Sequence, residues 1–302
     1  MAILILSPPD DDHARHMRDY LETREQPIWF LNSADFPANL QVTYDPVTER
    51  GQFRFPGGTV VDFAEVTAVY WRSYAGVSPP ELPHEEQADI AGNDARGLFE
   101  SLLIRLKTRW VNGWDAFHLH QTKPAALAMV AELGVPVPAT VLTNDPDGLI
   151  AFIDRHTRCI FKPVQGGAHT RRLELRHLAD ENLDNLRYSP VTLQEEIEGT
   201  DVRVFVAGDR VLACDVRTSE LDFRDDPNPE ITPIELPDDV AERSVRIARK
   251  LHLLWTGIDY RRTPDGRYVF LEANPSPMFL GFEQRSGLPL TEALGDLLRG
   301  SE

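Results

Sequence analysis

The sequence predicts an α/β protein in an α+β arrangement, with a parallel sheet at the N-terminus and antiparallel sheets after it. Three observations predict this. Residues 2–6 (AILIL), 13–22 and 27–31 (PIWFL) read as strand, helix and strand, the opening of a parallel sheet. Residues 201–217 instead read as two apolar strands folding back at Gly208-Asp209. The 302 residues are enough for a large core divided into two or three subdomains.

In the first unit, SPPDDD stops the opening strand, and no glycine-rich fingerprint follows it, which argues against a dinucleotide site there. Residues 39–63 alternate loosely around turns at Asp45-Pro46 and at residues 56–58, the pattern of a small meander. Residues 66–71 (VTAVYW) are a further strand with Arg72 directly after it. That is where α/β sheets bind ligands, although an ion pair is the more ordinary use of such a residue. Residues 85–107 are helical, with Ile90, Leu98, Leu102, Leu103 and Leu106 on the apolar face. WVNGWD closes this unit near residue 115; His118 and His120 have no third ligand nearby and read as surface polarity.

The second unit begins with a helix from Lys123-Pro124 to Leu133, capped by Gly134. Strand (residues 136–145), helix (145–156) and strand (158–164) follow, the last carrying Lys162 into the glycines of QGGAHT; RRLELR is a candidate strand beyond them. A charge inside an apolar strand is costly unless it meets a partner. Lys162 with Gly166 and Gly167 therefore has the parts of a phosphate clamp, with backbone N–H groups and a point charge together.

The third unit holds VTLQEEIEG, the hairpin carrying Arg203 and Arg217, a polar loop with Asp222-Phe223-Arg224, helices over 238–253 and 289–298, and a second hairpin. Arg203 is expected to pair with Asp201, two residues away. In the second hairpin, GIDY (residues 257–260) and YVFLEANPSP (268–277) flank the turn TPDG. Glu272 and Asn274 are two apart on a strand and so share a face. Folding the hairpin brings Asp259 beside them, giving an all-oxygen donor set suited to Mg²⁺ held together with phosphate oxygens.

Composition excludes some classes of function. A net charge of -17 is wrong for nonspecific binding to nucleic acid or anionic membrane. The two cysteines, Cys159 and Cys214, lie in apolar stretches and form no zinc or disulfide pattern. With no targeting segment legible, a cytoplasmic setting is expected.

The order Lys123, Lys162 with its glycine loop, QEEI, DVRVFV, Arg217, DFR, GIDY and FLEANPSP resembles the ATP-grasp superfamily over nearly the whole chain. It looks like the glutamate ligases that modify ribosomal proteins. AVYWR, WVN, GVPVPATVLTND and TSELDFR are similar to the microviridin and graspetide maturases, which crosslink ribosomal peptides. After Asn274, Pro-Ser-Pro-Met-Phe-Leu stands where those maturases carry a glycine and aromatics, and HQTKP where they carry an Asn-Lys pair.

The resemblance implies an ATP-grasp fold with a pre-ATP-grasp substrate domain (residues 1–115), a lid (116–193) and an antiparallel catalytic subdomain (194–302). It implies ATP and two Mg²⁺ ions as cofactors, with Mg²⁺ on Asp259, Glu272 and Asn274. Lys123 and Lys162 would bind the α- and β-phosphates. The backbone of Glu195, Glu196 and Ile197 would meet the adenine edge, Asp201 the ribose, and Ile160, Leu193 and Phe270 the base. Arg217 and Arg224 would neutralise an acyl phosphate. The implied activity is an ADP-forming ligase making ester or amide links on a peptide. The alternatives are addition of amino acids to a peptide terminus or small carboxylate, and a noncatalytic ATP-binding scaffold. A homo-oligomer stays open.

Overall fold

The computed structural model describes residues 2–165 and 169–300. Its first unit runs β1 (Ala2–Leu6), α1 (Asp12–Glu22), β2 (Ile28–Leu31), β3 (Gln41–Asp45), β4 (Arg50–Arg54), β5 (Val60–Asp62), β6 (Val66–Trp71), α2 (Glu85–Arg105) and β7 (Arg109–Val111). Strands β2, β1, β6 and β7 form a parallel sheet in that order. β1 is buried along its length, consistent with its unbroken apolar run. Asp11 caps α1 by accepting the Ala14 N–H, and the helix buries Ala14, Met17 and Leu21. The expected meander is the antiparallel sheet β3-β4-β5. Helix α2 buries Phe99, Leu102 and Leu103 only in its second half; Ile90, expected on that face, is 56% exposed.

Helices α3 (Trp114–Gln121) and α4 (Lys123–Ala131) come next. The lid follows as β8 (Thr140–Thr143), α5 (Pro146–Ile153), β9 (Cys159–Pro163), β10 (Arg171–Arg172), α6 (Asp180–Leu183) and β11 (Val191–Glu195). Its sheet has the order β10-β9-β11-β8 and is antiparallel. The strand expected at RRLELR shrinks to two residues and turns into a 3-10 segment at Leu175–Leu178. One face, with Val141, Cys159 and Leu193, packs on Leu149 and Phe152 of α5. Side chains alternate along a strand, so Thr140, Leu142, Lys162, Thr192 and Gln194 occupy the other face.

The C-terminal unit comprises β12 (Thr200–Ala207), β13 (Arg210–Arg217), β14 (Glu230–Ile234), α7 (Asp238–Lys250), β15 (Trp255–Arg262), β16 (Tyr268–Asn274), α8 (Leu280–Ser286) and α9 (Leu290–Arg299). Its sheet is antiparallel with the order β14-β13-β12-β15-β16. Val202, Val204 and Val206 line one face, against α7 and against Ala116 and Val130 of α3 and α4. Ala116 and residues 119–130, grouped with the lid from sequence, thus contribute to this core. On the other face Phe205, Val216 and Trp255 join α8, α9 and Ile3, Ile5 and Tyr70 of the parallel sheet in one continuous core. The first and last units are therefore locked together, and the polar end of this second face opens toward the lid.

Candidate active site

The hairpin pairs Asp259 of β15 directly with Glu272 of β16, and Gly257 with Asn274. The expected cluster therefore forms at the end of two neighbouring strands. Antiparallel partners lie close enough for their side chains to act on a common ligand. Lys123, the first residue of α4, donates to Glu272 Oε2 at 2.8 Å. Across the cleft, Lys162 projects from the lid and approaches Gln194 Oε1 at 3.4 Å. The cleft between lid and platform is lined by Lys123, Leu142, Lys162, Gln194, Phe270 and Glu272, and its volume is about 50 Å³. Gly166 and Gly167 lie outside the described residues.

Arg203 changes the reading of the site most. Its expected partner was Asp201, but i and i+2 on a strand stand farther apart than cross-strand neighbours. Register places Arg203 opposite Asp259, with Nη1 3.2 Å from Oδ1, while Asp201 pairs with Arg261 at 3.2 Å. The Arg203 guanidinium lies 5.3–5.9 Å from the ring centres of Phe205, Phe223 and Phe282. Its Nη1 faces Asp259 off the hydrogen-bond direction, so neither Nε nor Nη1 has an acceptor among the described residues. The buried guanidinium thus keeps donors free beside the carboxylate platform, the kind of group that binds anionic oxygens strongly.

Arg217 does not share that place. β12 sets Asp201 opposite Val216, which is buried on the site face, so the next residue of β13 turns to the opposite face. Arg217 is exposed there, opposite Glu230 in register. Arg217 therefore lies away from the Asp259–Glu272 pair, whereas Arg203 stands beside Asp259. Arg224, by contrast, lies within the field of the platform carboxylates. Bidentate pairing with Asp222 raises its pKa, and the charges of Glu272 and Asp259 add to that.

The two platform carboxylates differ electrostatically. Burial pushes Asp259 up, helped by the charges of Glu272 and Asp201 and opposed by Arg203 and Arg224. For Glu272, burial also pushes upward, but Lys123, Lys162 and Arg203 outweigh it and hold the carboxyl below its usual range. Burial lowers Lys162, with Lys123 and Arg224 adding to the effect against Glu272.

The nucleotide-edge candidates are partly committed elsewhere. The Glu195 N–H donates to the Ala139 carbonyl and the Glu196 N–H to that of Arg158. The Glu195 side chain accepts from Ala139 N, and that of Glu196 is forked by Arg172. Among the described residues the Ile197 N–H has no backbone partner. Asp201, expected on a ribose, is a poor fit: its side chain is only 14% exposed and is held by Arg261. Leu193 belongs to the lid core, whereas Phe270 does line the cleft. His120, expected on the surface, also lines the cleft, with Nδ1 3.3 Å from the Ala273 carbonyl.

The donor set suits Mg²⁺. Among the described residues no group of three His, Cys, Asp or Glu side chains is placed to hold a metal. What the hairpin offers is two carboxylates and an amide oxygen, with Asp259 Oδ2 and Glu272 Oε1 unengaged among the described residues. Hard oxygens alone, few in number, match a cation that completes its shell with phosphate and water.

A family model described as the RimK-like ATP-grasp domain matches residues 120–298. The chain is 29% identical over 197 residues to the ribosomal protein bS6–L-glutamate ligase of Escherichia coli O1:K1 / APEC, and equally to that of strain K12 / DH10B. That stretch is 60% of this chain and spans 63% of the length of those relatives. The structure of the ATP-grasp ligase PsnB complexed with minimal precursor is 32% identical, with a TM-score of 0.82 over 99% of this chain and 98% of that one. PsnB with a phosphomimetic variant of minimal precursor, Mg and ADP is 31% identical, with a TM-score of 0.82 over 99% and 97%. The macrocyclase MdnC bound with precursor peptide MdnA, from Microcystis aeruginosa MRC, is 20% identical over 99% and 100% with a TM-score of 0.85, a likeness of fold.

Proposed function

Because this chain belongs to the RimK-like ATP-grasp domain family, we propose that it is an ATP- and Mg²⁺-dependent carboxylate ligase that forms ester or amide links on a peptide. The observation that carries this reading is the set of four cations, Lys123, Lys162, Arg203 and Arg224, around the carboxylates of Asp259 and Glu272. Peptide as substrate is supported by PsnB, whose structure holds its precursor.

Asp259, Glu272 and Asn274 would hold Mg²⁺, which when bound neutralises charge on phosphate oxygens. Lys123 and Lys162, one on each side of the cleft, would grip the nucleotide phosphates. With the N–H groups of Glu195 and Glu196 committed, the adenine edge falls to the Ile197 N–H and the carbonyls beside it. An incoming carboxylate and a triphosphate repel each other, and Arg203 and Arg224 offset that repulsion where the two meet. A carboxylate oxygen attacks the γ-phosphorus, the β–γ P–O bond breaks, and ADP departs. A hydroxyl or amine then adds to the acyl carbon, loses its proton and expels phosphate. The two arginines stabilise the oxyanion of that addition.

The test is incubation with ATP, Mg²⁺ and an acidic peptide encoded beside the gene. The reading requires ADP release that depends on the peptide, with products lighter by one water per link. Replacing Glu272→Gln should abolish turnover with the fold intact. Retained turnover, or a peptide bound but never dehydrated, overturns the reading. The bS6–glutamate ligases favour a second reading, addition of amino acids to a peptide terminus, which appears as mass gains of whole residues.

A further inference from the structure

We infer that Arg72 and Asn112, both from the N-terminal unit, are positioning residues that orient the Asn274 amide for metal by holding Ser276 and the peptide group that joins it to Pro275. The inference rests on the metal platform proposed above and concerns what holds its third member in place. The Ser276 N–H donates to Asn274 Oδ1 at 2.9 Å. An N–H can be received only by the carbonyl oxygen of an amide, so this bond fixes which end of the side chain faces it. It uses one lone pair of Oδ1 and leaves the second for a cation.

That donor is itself held rigidly. The carbonyl of the same peptide group, on Pro275, accepts from Asn112 Nδ2 at 2.6 Å. Asn112 is fully buried and engaged on every side: Nδ2 also donates to the Trp255 carbonyl, and Oδ1 accepts from the N–H groups of Leu254 and Trp255. On the far side of Ser276, Arg72 Nη1 donates to its carbonyl at 3.0 Å and to its hydroxyl at 2.7 Å, and the hydroxyl donates back to the Arg72 carbonyl at 2.7 Å. Asp11, the cap of α1, fixes the guanidinium by accepting from Nε at 3.1 Å. A chain of bonds thus runs from the first helix of one unit to the metal strand of the other, and its central link joins Arg72 and Ser276, 204 residues apart in sequence. The Pro-Ser-Pro run has a use in this: prolines bracket the serine, and the serine takes part in four of the bonds.

The experiment measures metal rather than turnover. ADP binding to the full chain is followed by calorimetry as Mg²⁺ is titrated, and Mn²⁺ binding in the presence of ADP by electron paramagnetic resonance. Loss of a group that orients a metal ligand typically weakens the metal by about 10–100-fold. Arg72→Gln should raise half-saturating Mg²⁺ by at least about 10-fold and Ser276→Ala by several-fold, with metal-free ADP affinity within about twofold of wild type. Arg72→Lys, which restores one donor, should recover part of the loss. A merely structural clasp would lower the melting temperature and leave the metal titration alone. If half-saturation stays within twofold in Ser276→Ala and in whichever Arg72 variant folds, the inference is wrong. Glu272→Gln separates this outcome from failure of the platform. If that variant also leaves the Mg²⁺ titration unchanged, the metal assignment falls and the positioning role with it.

Discussion

Substituting Gly257→Ala tests whether the placement of Arg203 matters, because the space above Gly257 is occupied by the arginine itself. Gly257 is buried in β15 between Phe205 and Asn274 of the neighbouring strands. A Cβ there would lie 2.8 Å from Arg203 Nη1, 2.8 Å from Pro277 Cβ and 3.4 Å from Arg203 Cδ. Ordinary contacts of this kind are about 3.5–4.0 Å, so the guanidinium has to move by roughly 0.7 Å or more. It has little room, since the rings of Phe205, Phe223 and Phe282 enclose it. Overpacking of this kind costs about 1–3 kcal/mol of stability. A misplacement near 1 Å costs on the order of 100-fold in rate when the group acts at the reacting centre. The expected result is a fall in kcat/KM of about 30–100-fold, roughly 2–3 kcal/mol of transition-state stabilisation. ADP affinity should change by less than about threefold, because Lys123 and Lys162 are untouched. The assay is coupled ADP release with peptide, beside calorimetric ADP binding and a melting curve. A variant that loses stability but keeps wild-type kcat/KM would show that Arg203 is not needed where it lies.

Other outcomes follow from the same geometry. Arg217→Ala should leave kcat/KM within about twofold, since a fully solvated charge contributes little, whereas Arg203→Lys, which loses the planar fork, should lower it by at least about 10-fold; steady-state kinetics decides both. Lys162→Ala should weaken ADP binding by about 10-fold or more through loss of a desolvated charge partner, read by calorimetry. Stability should respond to pH through two buried groups of opposite sense. Burial, with Arg72 adding to it, lowers His13 to about 4, so the stability it lends is present above pH 6.5 and is lost as pH falls toward 4. Burial raises Asp201 to about 6 against the pull of Arg261, so its contribution is present below pH 3.8 and is lost as pH rises through 6. The two contributions oppose each other between pH 4 and 6. Asp201→Asn should therefore steepen the acid loss of stability in urea titrations, and His13→Asn should reverse its slope.

The hairpin carrying Asp259, Glu272 and Asn274 was legible because everything needed to place it is local. A turn signal between two apolar runs sets the register, and Glu272 and Asn274 share a face by strand alternation alone. The opening of the parallel sheet was legible for the same reason, in β1, α1, β2 and β6. The Arg72–Ser276 clasp was not, because its ends are 204 residues apart and nothing local joins them. Helix α2 misled because Ile90 continues an apolar spacing past the point where the helix leaves the body.

The choice between Arg203 and Arg217 is the sharpest case. Both are strand arginines on one hairpin, and only Arg203 has the parity that places it beside Asp259. That parity depends on how β12 pairs with β15, strands whose paired residues are about 56 positions apart. Yet part of the signal was present in DVRVFVA. Val202, Val204 and Val206 alternate with Asp201, Arg203 and Phe205, so one face of that strand is wholly apolar and the other carries the charges. Along CDVR the same count puts Val216 with Cys214 on one face and Asp215 with Arg217 on the other. The hairpin turn at Gly208-Asp209 sets Ala207 opposite Arg210, and counting back from it puts Asp201 beside Val216 and leaves Arg217 facing away. An arginine followed by a phenylalanine on the same strand face, opposite a buried aspartate, marks an anion site more strongly than an arginine at a strand end, because only the first is denied water.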